Sequence, residues 1–332
     1  MAIELANVMK EEDRMYNWVN KVVYKPNEMS DEDKEISQAV DEWAKEMGNY
    51  GESSENNKSI ANFITKVIEP EIHNYDESLI LQRLFDEQDI GEFDDVDLMY
   101  APKNTLVAYD SSKAANVDKS YIDFSRGTTF KNHLQVETEI RYADLRRNGY
   151  RSIARISNYA VEALSNKRFV TVFDAITNML TGLSDQSFSA TGSVDIGAME
   201  NAAGYVFDRG DTPILIGLST QMRKISTMDG YQAYLSDDMK NALNMKSSLG
   251  KFEGVDLVSV NASSKTGDGH TLLPTNRIFG IADKIGGFSM IGDMRTYITA
   301  DNNYEKFNLK FTGYEFMFNI IKPDKICQII IS

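Results

Sequence analysis

A strand-like pattern runs directly into a very long helical pattern near the middle of the chain. Apolar and polar residues alternate over 134–142, which is the period of a half-buried β-strand. Asn148-Gly149 then breaks the chain. Apolar residues recur at intervals of three and four over 150–181, which predicts a helix about 48 Å long if it is unbroken. Asn166 is the candidate for an interruption. Such a chain must pack one long helix beside an extended strand.

Two shorter strand-like runs precede this strand, at 104–109 and 119–125, and polar residues over 110–118 and 125–132 separate the three runs. The pattern predicts an extended β-hairpin arm whose return strand leads to residue 142. An isolated two-stranded ribbon is only marginally stable in water. We therefore expect the arm to rest on a neighbouring copy of the chain. A closed assembly of one repeated chain needs complementary surfaces on every copy.

Helical and strand-like patterns alternate after the long helix, and this alternation is typical of an α/β subdomain. In chain order we expect a helix near 197–209, a buried strand over 213–218, a helix from Thr220, a helix over 236–247 and a strand over 255–260.

The C-terminal part is dominated by strand patterns, with strands expected at 277–282 and 288–299. The apolar alternation that begins at Phe307 reverses its phase after Gly313, which predicts a β-bulge or a turn there. A final strand is expected over 326–331. The chain as a whole is predicted to have the α+β fold class.

The N-terminal part is strongly acidic. Residues 1–100 contain 25 Asp and Glu against 9 Lys and Arg, whereas the rest of the chain is nearly neutral, and the whole chain has a net charge of −15. We expect a solvated, extended or partner-binding N-terminal segment followed by a packed body. Ser30 should begin one helix and another is expected around 77–87, while 86–97 should be exposed. General nucleic-acid binding is disfavoured because phosphate binding needs a basic face.

Familiar catalytic and metal-binding motifs are missing from the sequence. There is no dinucleotide-binding, phosphate-loop or nucleophile-elbow motif. The three histidines, His73, His133 and His270, have no metal-ligand spacing. His270 could be a base beside Asp268, but a solvated loop histidine is the favoured interpretation. The glycines of 266–269 lack the strand-to-helix context of a phosphate site. We predict no catalytic residues, no metal site and no cofactor.

Several other residues have a functional and a simpler structural interpretation. Acidic clusters at Glu11-Glu12-Asp13 and Asp94-Asp95 could bind cations, but such runs are usually solvated surface. Trp18 and Trp43 are expected to anchor an arm or a helix on an apolar surface. Cys327, the single cysteine, is expected to be a buried, inert thiol. The sequence shows no signal peptide and no membrane-spanning run.

The order of these elements resembles the Hong Kong 97-type fold of tailed-phage major capsid proteins. The resemblance rests on the stretches HLQVETEIRYADLRRNGYRSIARISNYAVEAL (133–164), AMENAAGYVFDRGDTPILIGLSTQMRKI (198–225), HTLLPTNRIFGIADKIGGFSMIGDMRTYITA (270–300) and YEFMFNIIKPDKICQIII (314–331). It implies an acidic N-terminal arm over 1–95, an E-loop hairpin and lead-in strand over 96–142, a P domain with its spine helix over 143–190, an A domain over 191–285 and P-domain return strands over 286–332.

The resemblance also implies a function. A major capsid protein would self-assemble through pentameric and hexameric capsomers into an icosahedral head shell, in the host cytoplasm, and would enclose double-stranded DNA without reading its sequence. It would be a virion protein and not an enzyme. Residues 1–100 are too short for a cleaved scaffolding domain plus an arm, so we expect a separate scaffolding protein and a portal. Lys113 and Lys119 lie on the predicted loop, where a crosslinking role is disfavoured.

Three alternatives remain open from the sequence. One is an encapsulin-like nanocompartment, which would share the fold and package protein in place of DNA. Another is a cytoplasmic enzyme with a site in the loop 261–276, involving Lys265, Asp268 and His270. The last is a tail or baseplate component, which would form tubes or rings.

Overall fold

The structure is a computed structural model of the 332-residue chain. It describes residues 17–18, 21–22, 28–50, 58–59, 61–62, 76–90, 100–103, 123–126, 128–225, 228, 250–263, 266–267, 269–291, 295–301 and 306–332. The predicted helix over 236–247, the strand at 104–109 and the loop lysines Lys113 and Lys119 lie outside the described residues.

Helices and strands both contribute to the described part of the chain, as the predicted α+β class requires. The helices are α1 (Asp31–Tyr50), α2 (Asp76–Leu84), α3 (Tyr142–Asn148), α4 (Tyr150–Leu180), α5 (Ile196–Phe207) and α6 (Ser219–Ile225). The long central helix α4 is unbroken. Asn166 does not interrupt it, because this side chain is 2% exposed within the packed face and neither proline nor glycine occurs in the helix.

The first sheet has five strands, three of which pair directly with β12. Its members are β1 (Phe85–Ile90), β4 (Thr128–Arg141), β10 (Gly286–Ile291), β11 (Arg295–Asp301) and β12 (Lys306–Ile320). Strand β12 pairs antiparallel with β4 along one side and with β10 and β11 in succession along the other, while β1 adds parallel to β10. Strand β4 begins at Thr128 within the stretch 125–132 that was expected to be a connection, because Thr128 to His133 pair with Ile320 to Glu315.

A register shift confirms the predicted irregularity near Gly313. The β4–β12 pairing is continuous up to Phe311 and resumes at Tyr314, so β12 contains a β-bulge at this point. The bulge changes the phase of the side chains and keeps Phe311 and Phe316 buried on the same side of the sheet.

The second sheet has six strands in the order β5, β13, β9, β6, β8, β7. The strands are β5 (Ser187–Ala190), β6 (Ile214–Leu218), β7 (Lys251–Phe252), β8 (Val255–Val260), β9 (Arg277–Ile281) and β13 (Ile326–Ile331). The final strand β13 was predicted as a return strand with 286–332, but the structure pairs it with β5 and β9. The stretch 286–332 is therefore divided between the two sheets.

Helix α4 connects the two sheets through one hydrophobic core. Its Phe173 ring lies 5.3 Å from Phe279 of the six-stranded sheet, and its Arg168 guanidinium lies 5.6 Å from the Phe288 ring of the five-stranded sheet. Between residues 160 and 176 the helix is buried over most of its circumference. This explains why its apolar pattern is broad and is not confined to one stripe.

The described N-terminal residues pack onto the body in several places, although 1–95 was predicted as an arm. Ser30 caps α1 as expected, because its Oγ accepts a hydrogen bond from the Asp33 backbone N–H at 3.2 Å. Trp18 is 2% exposed and donates a 2.9 Å hydrogen bond from Nε1 to Ser37 Oγ of α1. Trp43 packs against the same core. The expectation that both tryptophans anchor the N-terminal segment is confirmed.

The helix predicted around 77–87 ends earlier than expected. It stops at Leu84, and Phe85 begins strand β1, which runs through part of the acidic stretch that was expected to be solvent-exposed. Phe85 is 1% exposed, with its ring 6.0 Å from Phe318. The physical reason is pairing with β10, which is about 200 residues away in sequence and which overrides the local helical pattern.

Candidate assembly surfaces

One face of the five-stranded sheet is solvent-exposed and carries side chains of both charges. Along β4, alternate side chains from Lys131 to Arg141 are exposed, as the predicted strand period requires. Lys131 Nζ lies 3.2 Å from Glu315 Oε2, and Lys306 Nζ lies 2.9 Å from Glu139 Oε2. Opposite charges therefore meet across the β4–β12 pair, and this face has little excess of either sign.

Glu315 is the most connected carboxylate on this face. Besides Lys131, it contacts His133, whose Nδ1 lies 3.2 Å from Glu315 Oε1. The hydrogen bond from Lys131 lowers the pKa of Glu315, and the nearby His133 acts in the same direction. Gln135 in turn lies 2.6 Å from His133 Nε2. His133 is thus part of a surface polar network, and no metal ligand set surrounds it among the described residues.

A separate two-stranded ribbon extends from the β4 end of the sheet. It consists of β2 (Tyr100–Lys103) and β3 (Asp123–Arg126), which pair antiparallel with each other and with no other strand in the described part of the chain. Residue 126 is followed two positions later by the start of β4, so the ribbon continues the sheet's long strand. Two strands alone bury too little surface to be independently stable.

In the part of the chain that the structure describes, four large apolar or aromatic side chains are exposed. Tyr159 lies on α4 and Phe207 at the end of α5, and these residues are 61% and 60% exposed. Tyr297 lies on β11, and Leu183 lies just beyond α4. They lie on different segments of the chain, and single exposed apolar residues are normal on a protein surface.

A pair of polar contacts fixes the end of α5 to the turn that precedes β13. Tyr205 Oη donates a 2.8 Å hydrogen bond to the backbone oxygen of Asp324, and the Arg209 guanidinium lies 3.7 Å from the centre of the Tyr205 ring. Burial raises the pKa of the Tyr205 phenol. No local sequence pattern predicts this contact, since it joins residues 119 positions apart.

The loop that was considered for an enzyme site is an exposed turn in its described residues. His270 is exposed, and its backbone oxygen accepts a 2.9 Å hydrogen bond from the Thr266 N–H. Gly269 has a φ of 81°, which a tight turn requires. Asp268 and Lys265, as well as His73 and the clusters Glu11-Glu12-Asp13 and Asp94-Asp95, lie outside the described residues. The structure brings no second catalytic group to His270 within the part that it describes.

Cys327 is a buried thiol, as expected. It is 0% exposed on β13, its Sγ lies 3.9 Å from the Ala202 backbone oxygen, and burial raises its pKa to about 12. The described residues contain no helix that is long and apolar enough to cross a membrane.

A depression of about 300 Å³ lies beyond the C-terminal end of α4, beside the six-stranded sheet. Its polar side chains bind one another: Arg277 donates to Gln328 Oε1, and Gln328 Nε2 donates to Ser187 Oγ at 2.9 Å. These groups are already satisfied by each other, which is the usual arrangement for structural polar groups near a core.

Comparison with known proteins identifies the family of the chain. A family model described as "SPbeta prophage-derived putative capsid protein YonB" matches residues 9–329. The chain belongs to the YonB family of prophage-derived capsid proteins. No curated protein sequence matches this YonB-family chain.

Solved structures of phage proteins share the fold of this YonB-family protein. A chain of Gordonia phage Cozz has a TM-score of 0.54 at 12% identity, and the matched region covers 75% of this chain and 85% of the phage chain. A chain from the capsid of cyanophage P-SCSP1u has a TM-score of 0.51 at 12% identity, and the matched region covers 76% of this chain and 88% of the cyanophage chain. A chain from the satellite phage P4 procapsid that includes the size determination (Sid) protein has a TM-score of 0.51 at 10% identity, covering 83% and 90%. The predicted Hong Kong 97-type fold and the phage capsid family are thereby confirmed.

Proposed function

We propose that this YonB-family protein is a major capsid protein that self-assembles into an icosahedral head shell around double-stranded phage DNA. The observation that carries the proposal is the capsid-family match over nearly the whole chain, together with the Hong Kong 97-type fold. Its role is structural, with no catalytic residues, no cofactor and no metal. It assembles in the host cytoplasm and becomes part of the virion.

The two sheets correspond to two domains of the proposed shell subunit. The long helix α4 and the five-stranded sheet would form the P domain, and the six-stranded sheet with α5 and α6 would form the A domain. Because α4 packs against both sheets through Phe173 and Arg168, a force on one sheet is transmitted to the other. A rigid subunit of this kind suits a shell in which each copy transmits mechanical force to its neighbours.

The β2–β3 ribbon supports assembly by contact between copies. It belongs to neither main sheet in the described part of the chain, and a lone ribbon needs further burial. Sister copies would provide that burial in pentameric and hexameric capsomers. At about 25 cal/mol per Å², such contacts contribute tens of kcal/mol gross per subunit, from which the costs of association must be subtracted.

A separate scaffolding protein and a portal complete the proposed assembly system. The N-terminal region supports this part of the proposal, since Trp18 is buried and donates a hydrogen bond to Ser37 of α1. Mass spectrometry of mature particles should find the N-terminal ninety residues still attached. Loss of this segment would contradict the proposal of a separate scaffold.

Electron microscopy of the expressed full-length chain tests the function. Negatively stained preparations, made with and without a candidate scaffolding protein, should contain closed shells. Particles purified from infected or induced cells should contain nuclease-protected DNA. Closed shells filled with protein would support a nanocompartment instead. Tubes or rings would indicate a tail component, and a stable monomer that binds a metabolite would contradict a shell role.

A further inference from the structure

Strand β4 forms a long edge of the five-stranded sheet. It pairs with β12 along one side, and no strand in the described part of the chain pairs with its other side. Its 14 residues span about 46 Å at about 3.3 Å per residue. Free edges of this length readily pair with another chain, and natural proteins usually shorten, bend or cover them. Strand β4 contains neither proline nor glycine, and the bulge near Gly313 lies in β12, so the edge can accept another strand.

The apolar side of β4 is only partly covered within one subunit. Leu134 and Val136 pack against the hydrophobic core but remain partly exposed. Phe130 is also only partly buried, although its ring centre lies 4.9 Å from that of Phe318. In contrast, Phe318 of the central strand β12 is 1% exposed. A further strand beside β4 would bring its own side chains against these partly exposed apolar groups.

The exposed side of β4 is complementary to itself when two copies run antiparallel about Gln135. In this register Lys131 of one copy lies opposite Glu139 of the other, and His133 lies opposite Glu137. Each of these pairs occurs twice, because the two strands are related by a two-fold axis. Opposite charges that face each other directly stabilise antiparallel strands, and an imidazole N–H can donate to a carboxylate.

The apolar side of β4 matches in the same register. Leu134 of one copy lies opposite Val136 of the other, so the two partly exposed side chains cover each other. Phe130 lies opposite Ile140 in the same way. Because the exposed side and the apolar side agree on one register, the complementarity does not depend on a single pair.

Other registers that keep the two sides of the sheet aligned are less favourable. A pairing centred on Val136 sets Lys131 opposite Arg141, which brings two like charges together. A pairing centred on Leu134 sets Lys131 opposite Glu137 but leaves Glu139 without a cation opposite it. The register centred on Gln135 is therefore favoured.

The new pairs would extend ion pairs that are already present on this face. Lys131 Nζ lies 3.2 Å from Glu315 Oε2, and Lys306 Nζ lies 2.9 Å from Glu139 Oε2. Pairing of two copies places the first ion pair of one copy beside the second ion pair of the other. Positive and negative side chains then alternate across the boundary between the subunits, which avoids like-charge contacts.

We propose that β4 of one copy pairs antiparallel with β4 of a second copy about a two-fold axis at Gln135, which joins two five-stranded sheets into one. The inference rests on the proposed capsid function, which requires contacts between copies, and it names one of these contacts. A two-fold contact uses the same surface on both copies, and a self-complementary strand provides such a surface. The pairing also sets Thr128, where the β2–β3 ribbon leads into β4, opposite the start of α3 in the second copy.

Disulfide formation by the full-length variant Gln135→Cys tests the pairing. Gln135 is exposed, and the native Cys327 is fully buried, so the new thiol is the reactive one. Residues directly opposite each other in antiparallel strands have Cα atoms about 4.5–5.5 Å apart, which is within the range of a disulfide. With oxidised glutathione, most chains should run as dimers on a non-reducing gel, and dithiothreitol should return them to monomers. Wild type should remain monomeric on the same gel.

Lys131→Cys and Glu139→Cys are matched controls on the same exposed face. In the proposed register each of these positions lies about 26 Å along the strand from its own equivalent in the second copy. Neither variant alone should form disulfide-linked dimers. Co-expression of the two variants should form them, because position 131 of one copy faces position 139 of the other.

Three results would overturn the inference. They are absence of the Gln135→Cys dimer, equal dimer yields from all three single variants, and absence of dimers from the co-expressed pair. Electron microscopy of the same preparations separates this inference from the proposed function. Shells whose Gln135→Cys chains remain monomeric on the gel remove only the β4 contact, whereas absence of shells contradicts the proposed capsid function whatever the gel shows.

Discussion

Replacing Gly280 by alanine should loosen the core of the six-stranded sheet. Gly280 lies on β9, and a Cβ built there would stand 2.5 Å from Cys327 Sγ, 3.0 Å from Val206 Cγ1 and 3.1 Å from Leu215 Cδ2. Gly280 is not among the residues with a positive φ, so the backbone itself accepts alanine. The effect is therefore steric. Overpacking of this kind costs about 1–3 kcal/mol, which raises the population of the opened state about 5- to 150-fold.

Cys327 provides a direct probe of this opening, because it is the single cysteine and lies beside Gly280. The thiol is fully buried and its pKa is raised to about 12, so it reacts with a thiol reagent only when the core opens. When reclosing is faster than modification, the labelling rate follows the opening equilibrium. Gly280→Ala should be labelled about 5- to 150-fold faster than wild type at pH 8.

Gly204 on α5 offers a matched control. It is exposed, and an added Cβ would meet no atom within 4 Å. Alanine should stabilise the helix by about 0.5–1 kcal/mol, so labelling of Cys327 in Gly204→Ala should be unchanged or slower. If Gly280→Ala is labelled at the wild-type rate while the control behaves as expected, the packing described around Cys327 is wrong.

Three further perturbations test other parts of the structure. Asp195 caps α5 by accepting hydrogen bonds from two backbone N–H groups, so Asp195→Ala should lower the free energy of unfolding, measured by urea denaturation, by about 1 kcal/mol. Asp195→Asn should keep most of the stability that the cap contributes. Trp18→Phe removes the buried hydrogen bond to Ser37 and should accelerate proteolysis of the N-terminal segment, with a cost of about 1 kcal/mol. The hydrogen bond from Lys131 lowers the pKa of Glu315 in the folded protein, so this pair contributes its full stabilisation above the ordinary Glu pKa. The stabilisation is lost as the pH falls through the lower pKa of the folded state. In thermal melts at different pH values, Glu315→Gln should remove the loss of stability that protonation of Glu315 causes in wild type.

Local patterns in the sequence were enough to predict the central part of the fold. The strand over 134–142, the helix over 150–181 and the irregularity near Gly313 all follow from side-chain periodicity, and the structure contains each of them. Trp18 could be predicted as an anchor because a large aromatic side chain in a polar segment needs an apolar surface. Periodicity is informative here because each of these elements buries one side, and the apolar residues of that side recur at the spacing of a strand or a helix.

Partners that are distant in sequence could not be predicted. Phe85 lies in a helical pattern, yet it begins a strand because β10 pairs with it. The final strand Ile326–Ile331 was recognised as a strand, but its place beside β5 depends on a pairing about 140 residues apart. Strand order is set by tertiary packing, which no local pattern records.

We propose that copies of this chain build a closed shell in which each β2–β3 ribbon lies on a neighbouring copy. A cryo-electron microscopy reconstruction of particles formed by the full-length chain measures this directly. The proposed function predicts an icosahedral lattice of pentamers and hexamers, with Tyr100–Lys103 and Asp123–Arg126 packed against a different subunit. A particle in which this ribbon folds onto its own subunit, or a preparation without any lattice, would contradict it.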